Sequence, residues 1–147
     1  MTPQKVNASK LFPSLTGLEV LLVEDENDVR EVLTIVLQRC GATVRAASSA
    51  REALDMIDKT QPDVLVTDIA MPIEDGYDLL KKIRALDNSR AAKIPAVALT
   101  GYAGSEDRKR AMAAGFQMHL PKPVDPEQLA AAVASLALRS GSGSIPL

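Results

Sequence analysis

The chain has no tryptophan and only two tyrosines and two phenylalanines, so any core must be built from leucine, valine, isoleucine and alanine. Its one cysteine, Cys40, excludes an internal disulfide and suits a reducing cytoplasm. No apolar run approaches the ~20 residues of a membrane span. The first 16 residues lack the apolar centre of a secretory signal. Nor does one sign of charge dominate. Seventeen basic and 19 acidic residues leave a net charge of −2, which gives no electrostatic reason to expect nucleic acid or an anionic membrane as partner. No Gly-x-Gly-x-x-Gly follows a candidate strand, which removes the nicotinamide-binding folds. What remains is 147 residues, 46% hydrophobic and 24% charged, the proportions of one globular domain with a single core.

Residues 1–16 are polar and read as a leader or linker, residues 17–138 as one domain, and residues 139–147 as a flexible tail. That tail holds the tract Ser140-Gly141-Ser142-Gly143-Ser144, equally a native linker or a cloning remnant. Within the domain, short β-branched runs alternate with helical spacings. Glu19-Val20-Leu21-Leu22-Val23 has the character of a strand buried on both faces. Val29, Val32, Leu33, Val36 and Leu37 then recur at helical spacing until Gly41. Further strands are predicted over residues 43–46, 63–67, 94–99 and 116–120. Further helices carry Ala50, Ala53, Leu54 and Ile57, then Leu79, Leu80 and Ile83, then residues 105–114, and lastly residues 126–138. Such alternation of strands with helices implies right-handed crossovers and a parallel α/β sheet covered on both faces. Sites in these sheets lie at the carboxyl ends of the strands.

That rule gathers five distant residues on one rim. Glu24 and Asp25 follow the first strand, Asp68 the third, Thr100 the fourth and Lys122 the fifth. Three carboxylates held close together repel one another unless a cation is present, and Mg²⁺ is the hard, oxygen-seeking ion that one or two carboxylates plus water and phosphate oxygens usually hold. An ionised Asp68 can then attack phosphorus and form an aspartyl phosphate. The three equatorial oxygens of a transferring phosphoryl group need neutralising. Mg²⁺ can take one, the Lys122 ammonium another, and the Thr100 hydroxyl with a backbone N–H the third, small Gly101 leaving room for that N–H.

Glu24-Asp25, Asp68-Ile69-Ala70-Met71-Pro72 with Asp75-Gly76, Leu99-Thr100-Gly101-Tyr102-Ala103 and Pro121-Lys122-Pro123 together resemble the signature of two-component response-regulator receivers, in order and spacing, over residues 18–138. The resemblance implies a flavodoxin-like fold, a five-stranded parallel sheet of order 2-1-3-4-5 flanked by five helices. It implies that Asp68 is the phosphoacceptor, that Asp25 and the Ala70 carbonyl bind Mg²⁺ (or Mn²⁺) directly with Asp68, and that Glu24 acts largely through a metal-bound water. Lys122 would pair with Asp68 and then with the phosphoryl group, Thr100 would be the switch, and Lys122-Pro123 would be cis. The implied donor is a histidine kinase or histidine phosphotransfer domain, and the implied reader is a protein at the face of the fourth helix, fifth strand and fifth helix. The chain would be a cytoplasmic switch, not a turnover enzyme, and either a stand-alone receiver or a piece of a hybrid kinase.

Three positions set this sequence apart. His119 stands where the family usually has an inward-rotating Tyr or Phe, and protonation of an imidazole would disfavour burial there. Its plainer role is a partly exposed strand residue that touches a partner. Ala70 and Tyr102 flank the acceptor at positions that tune phosphoryl lifetime; a residue that positions no water and one that shields phosphorus imply a moderately long-lived state. Other residues have plain readings as well. Asn27 or Asp28 is expected to cap the first helix, Cys40 to pack near its end, and Arg108-Lys109-Arg110 to form a solvated face. Rival functions fit worse. A phosphatase working through an aspartyl phosphate needs a second acid two residues after the nucleophile, where Ala70 stands. A flavin module needs a Ser/Thr-rich loop where Glu24 to Asp28 would repel phosphate. A pseudo-receiver would be expected to lack some of the five residues.

Overall fold

The computed structural model describes residues 12–101 and 105–140. In chain order the elements are β1 (Glu19–Val23), α1 (Asn27–Arg39), β2 (Thr43–Ala47), α2 (Ala50–Thr60), β3 (Val64–Asp68), α3 (Gly76–Arg84), α4 (Ser89–Ala92), β4 (Ala96–Thr100), α5 (Ser105–Ala114), β5 (Met118–Pro121) and α6 (Pro126–Ser140). The strands form one parallel sheet in the order β2-β1-β3-β4-β5, the expected flavodoxin-like arrangement.

Period-two alternation divides the core. Val20 and Leu22 of β1 join Leu33, Leu37, Leu129, Val133 and Leu136, under α1 and α6. Leu21 and Val23 face the other way and join Ala53, Ile57, Leu79, Leu80, Ile83 and Phe116, under α2, α3 and α5. Every residue of β3 and β4 is buried, as a central parallel strand requires. Helix starts are fixed locally. Ser49 accepts the Glu52 N–H at 3.1 Å, and Asp75 and Asp78 cap α3 reciprocally.

The structure corrects several expectations. There are six helices among the described residues, not five: α4 is a single turn with Asn88 Oδ1 accepting from Arg90 and Ala91 N–H groups, too short to leave an apolar period. The expected leader reaches into the domain, because Leu15 is wholly buried and its N–H donates to the Cys40 carbonyl at 2.7 Å. Thr16 lies so close to Gly41 (φ +108°) that a Cβ there would stand 2.6 Å from Thr16 Oγ1. Residues 1–11 and the Gly/Ser tract from 141 on lie outside the described residues, while α6 runs two residues past the expected end at 138. The N-cap of α1 is Glu26, with no side-chain cap bond, rather than Asn27 or Asp28. Arg108, Lys109 and Arg110 are exposed, as expected, and Arg110 also places its guanidinium 4.2 Å from the centre of the Tyr77 ring, which meets Phe116 edge-on.

Candidate functional site

Asp68 is the last residue of β3 and Thr100 the last of β4, one position earlier relative to the strand ends than the sequence spacing implied. Glu24 follows β1 directly, and Lys122 follows β5. Glu24, Asp68 and Thr100 are 0%, 2% and 3% exposed, while Asp25 and Lys122 are half-buried, so the rim is a recess and not a set of surface charges.

Lys122 joins its two halves. Its Nζ lies 2.9 Å from Glu24 Oε1 and 3.0 Å from Asp68 Oδ2, and its backbone N–H donates to the Thr100 carbonyl at 2.7 Å. That last bond ties the loop after β5 to the end of β4, so the ammonium is delivered by backbone. The other Asp68 oxygen, Oδ1, accepts the Ala70 N–H at 3.2 Å, and Glu24 Oε2 accepts the Glu26 N–H at 3.1 Å. The expected cis peptide at Lys122-Pro123 is present.

Burial pushes the Glu24 carboxyl above the ordinary carboxylate value and the Asp68 charge adds to the rise; Lys122 and the Glu26 N–H oppose it without prevailing. Burial alone would lower the Lys122 ammonium, but Glu24 and Asp68 together outweigh it and hold it above the ordinary lysine value. Lys122 shifts upward because it faces two anions, and Glu24 because burial outweighs the share of one ammonium that reaches it. Each carboxylate receives only part of that ammonium's charge.

Asp25 completes the cluster. Glu24, Asp25 and Asp68 offer ligand oxygens that all lie within 4.8 Å of one another. Three carboxylates against one ammonium leave about two negative charges. The donor set is hard oxygen throughout, so the residues fit a divalent cation of the Mg²⁺ type.

Sequence spacing could not identify two other residues that build the pocket. Arg30, on the first turn of α1, donates from Nη1 to the Glu24 carbonyl at 2.8 Å; a lone arginine there reads as solvated. Gly76, which entered only as part of the family signature, packs on the acceptor itself: a Cβ on it would stand 2.5 Å from the Asp68 carbonyl oxygen. Gly101 behaves oppositely. A Cβ there would meet nothing within 4 Å among the described residues. Tyr102 lies outside the described residues. His119 sits on β5 beside Ala98, half-buried, and its Nε2 is buried without a hydrogen-bond partner among the described residues.

A family model for the response regulator receiver domain matches residues 20–134. The chain belongs to the response-regulator receiver family. An uncharacterised 14.6 kDa protein from the sodA1 3′ region of Leptolyngbya boryana is 41% identical to this receiver over 116 residues, 79% of this chain and 87% of that one. Hybrid signal transduction histidine kinase D of Dictyostelium discoideum is 32% identical over 138 residues, covering 90% of this chain and 9% of that kinase. The receiver domain of Francisella response regulator 1452 superposes with a TM-score of 0.77 at 26% identity, covering 84% of this chain and 99% of that one. The chain spans about half the length of several other curated relatives. As a receiver it is a phosphorylation-dependent signalling domain of the two-component type, a class that accepts phosphoryl groups from histidine kinases and binds Mg²⁺ at an acidic pocket. No helix among the described residues is long and apolar enough to cross a membrane.

Proposed function

We propose that Asp68 takes a phosphoryl group from the phosphohistidine of a histidine kinase or histidine phosphotransfer domain, in the cytoplasm, and that the product changes what the receiver binds. A carboxylate oxygen of Asp68 forms the new O–P bond as the P–N bond to the donor imidazole breaks; the imidazole leaves neutral after gaining a proton from solvent. Lys122 is the residue that carries this reading. Standing 3.0 Å from Asp68, it pairs with the acceptor and is already placed for a phosphoryl oxygen. The Thr100 hydroxyl serves another oxygen, with the N–H of the loop after β4.

Asp25, Asp68 and the Ala70 carbonyl would hold Mg²⁺, with Mn²⁺ able to replace it. Glu24 would act through a bound water, since Lys122 and the Glu26 N–H already engage its two oxygens. When bound, the ion supplies charge neutralisation at the third phosphoryl oxygen. The chain's own part is position: Gly76 lets α3 start against the Asp68 backbone, and Arg30 fixes the Glu24 carbonyl.

An open groove of about 530 Å³ beside Lys122, lined by Glu26, Asp28, Val29, Val32, Leu33, Pro123 and Val124, offers the donor a docking edge. The product is read at the α5–β5–α6 face. Ala70 offers no acid to protonate a leaving group and no polar side chain to position water, which supports single acceptance and slow loss rather than turnover. Incubation with acetyl phosphate, followed by intact mass, tests the reading. One phosphate adduct should form with Mg²⁺, fail to form in excess EDTA, and be absent from Asp68→Asn. An adduct of equal yield in that variant would move the acceptor elsewhere, and no adduct in the wild type would make the domain a binding module.

A further inference from the structure

Ile73, in the loop between β3 and α3, combines two features that are each unfavourable. Its φ is +71°, at the apex of a γ-turn in which the Glu74 N–H donates to the Pro72 carbonyl at 2.8 Å. A γ-turn with positive φ is the rare, strained form, and a β-branched residue in that region is an outlier. The side chain is also fully exposed.

Slack in the loop does not explain this. Ahead of the apex, Met71 is buried and its N–H donates to the Ile69 carbonyl at 3.1 Å. Behind it, Glu74 pairs with Lys82, Asp75 and Asp78 exchange bonds of 2.9 and 3.1 Å, and the Gly76 N–H returns to the Ile69 carbonyl at 2.9 Å. The turn is clamped on both sides and holds the isoleucine outward. Glycine or asparagine would take the same backbone more easily, and asparagine would expose no apolar surface. Folding gains nothing from isoleucine here, so its use lies in contact with another molecule.

Position indicates which molecule. Ile73 follows Asp68 by five residues and stands in the loop at the carboxyl end of β3, the end of the sheet that carries the acceptor. Exposed Val32 and half-buried Val29 on α1, with half-buried Val124 in the loop after β5, line one groove beside Lys122 and form a second apolar edge. An acidic pocket between two apolar edges fits a partner that presents a phosphohistidine among apolar neighbours. We propose that Ile73 is a docking residue for the protein carrying that phosphohistidine, packing on an apolar side chain beside the donor histidine. This rests on Asp68 being the acceptor, as argued above.

The test uses two donors on the full chain. One is acetyl phosphate with Mg²⁺, which needs no docking. The other is a panel of purified, autophosphorylated histidine-kinase cores, from which those that label the wild type are taken. Ile73→Gly should keep the acetyl phosphate rate within twofold, show a thermal midpoint equal to or above the wild type, and lose at least tenfold in transfer from the kinases. Ile73→Asn should behave alike, while Ile73→Leu should retain most of the transfer. Kinase transfer within twofold of wild type in Ile73→Gly would overturn the proposal. So would an equal slowing with both donors, which would place the effect in the pocket, or labelling of the wild type by acetyl phosphate but by no kinase in the panel. Failure of the acceptor assignment is separate: Asp68→Asn would then still be labelled by both donors.

Discussion

Both ends of the sheet bury charge, and they do so differently. At the amino end, Asp63 accepts the Glu19 N–H at 2.8 Å through one oxygen and Arg90 at 3.1 Å through the other. Arg84 donates to the carbonyls of Ala92, Ile94 and Gly115 at 2.9, 2.7 and 3.3 Å, and burial lowers its pKa because no carboxylate compensates. These charges are matched by hydrogen bonds and staple the starts of β1, β3, β4 and β5. At the carboxyl end three carboxylates share one ammonium. Burial is therefore no mark of function by itself. The end that leaves negative charge uncompensated is the end at which we propose that a cation binds and a phosphoryl group is taken.

The largest expected effect falls on Lys122. With excess Mg²⁺, Lys122→Met should lower the rate of acetyl phosphate labelling about 100-fold, the usual order for removing one group that stabilises transition-state charge, while the urea midpoint moves little. If stability fell as far as acceptance, Lys122 would be a staple like those at the other end. Arg84→Met should do the reverse. Loss of three charge-assisted bonds to carbonyls should cost about 2 kcal/mol of stability, read from urea unfolding, with labelling at a temperature where the variant is folded within twofold of wild type. A labelling defect in folded Arg84→Met would couple the two ends and break the contrast.

The two ends also differed in how far the sequence revealed them. Glu24, Asp25, Asp68, Thr100 and Lys122 each end or follow a strand, so apolar periodicity and one topological rule were enough to collect them. Helix faces were legible from Val, Leu and Ile spacing for the same reason, while the sheet order came only from what the family resemblance implied. The staples left no such trace. Arg84 to Gly115, Arg90 to Asp63, Arg30 to the Glu24 carbonyl and Leu15 to the Cys40 carbonyl are contacts between a donor and an oxygen in a different element, and nothing periodic marks them. Gly76 and Gly101 show the same divide. Both flank the site in sequence, yet only the three-dimensional path of the backbone distinguishes the one pressed on Asp68 from the one facing open space among the described residues.

The smallest effect, and the sharpest probe of the excess charge, is in pH dependence without metal. The folded Glu24 carboxyl titrates above its ordinary value of 4.5, so the folded state holds that proton more tightly than the unfolded chain. Its contribution to stability is then fully present below 4.5 and is lost as pH rises through the folded value. A glutamine amide at this position has no proton to lose in that range. In EDTA, Glu24→Gln should therefore gain on the wild type as pH rises from about 4 to about 7, measured as the difference in urea midpoints. Excess Mg²⁺ should shrink or reverse that gain, because a cation favours the ionised carboxylate. A wild type that instead gained on the variant with rising pH in EDTA would mean that Lys122 and the Glu26 N–H outweigh burial and Asp68. The carboxyl end would then be as fully compensated as the amino end.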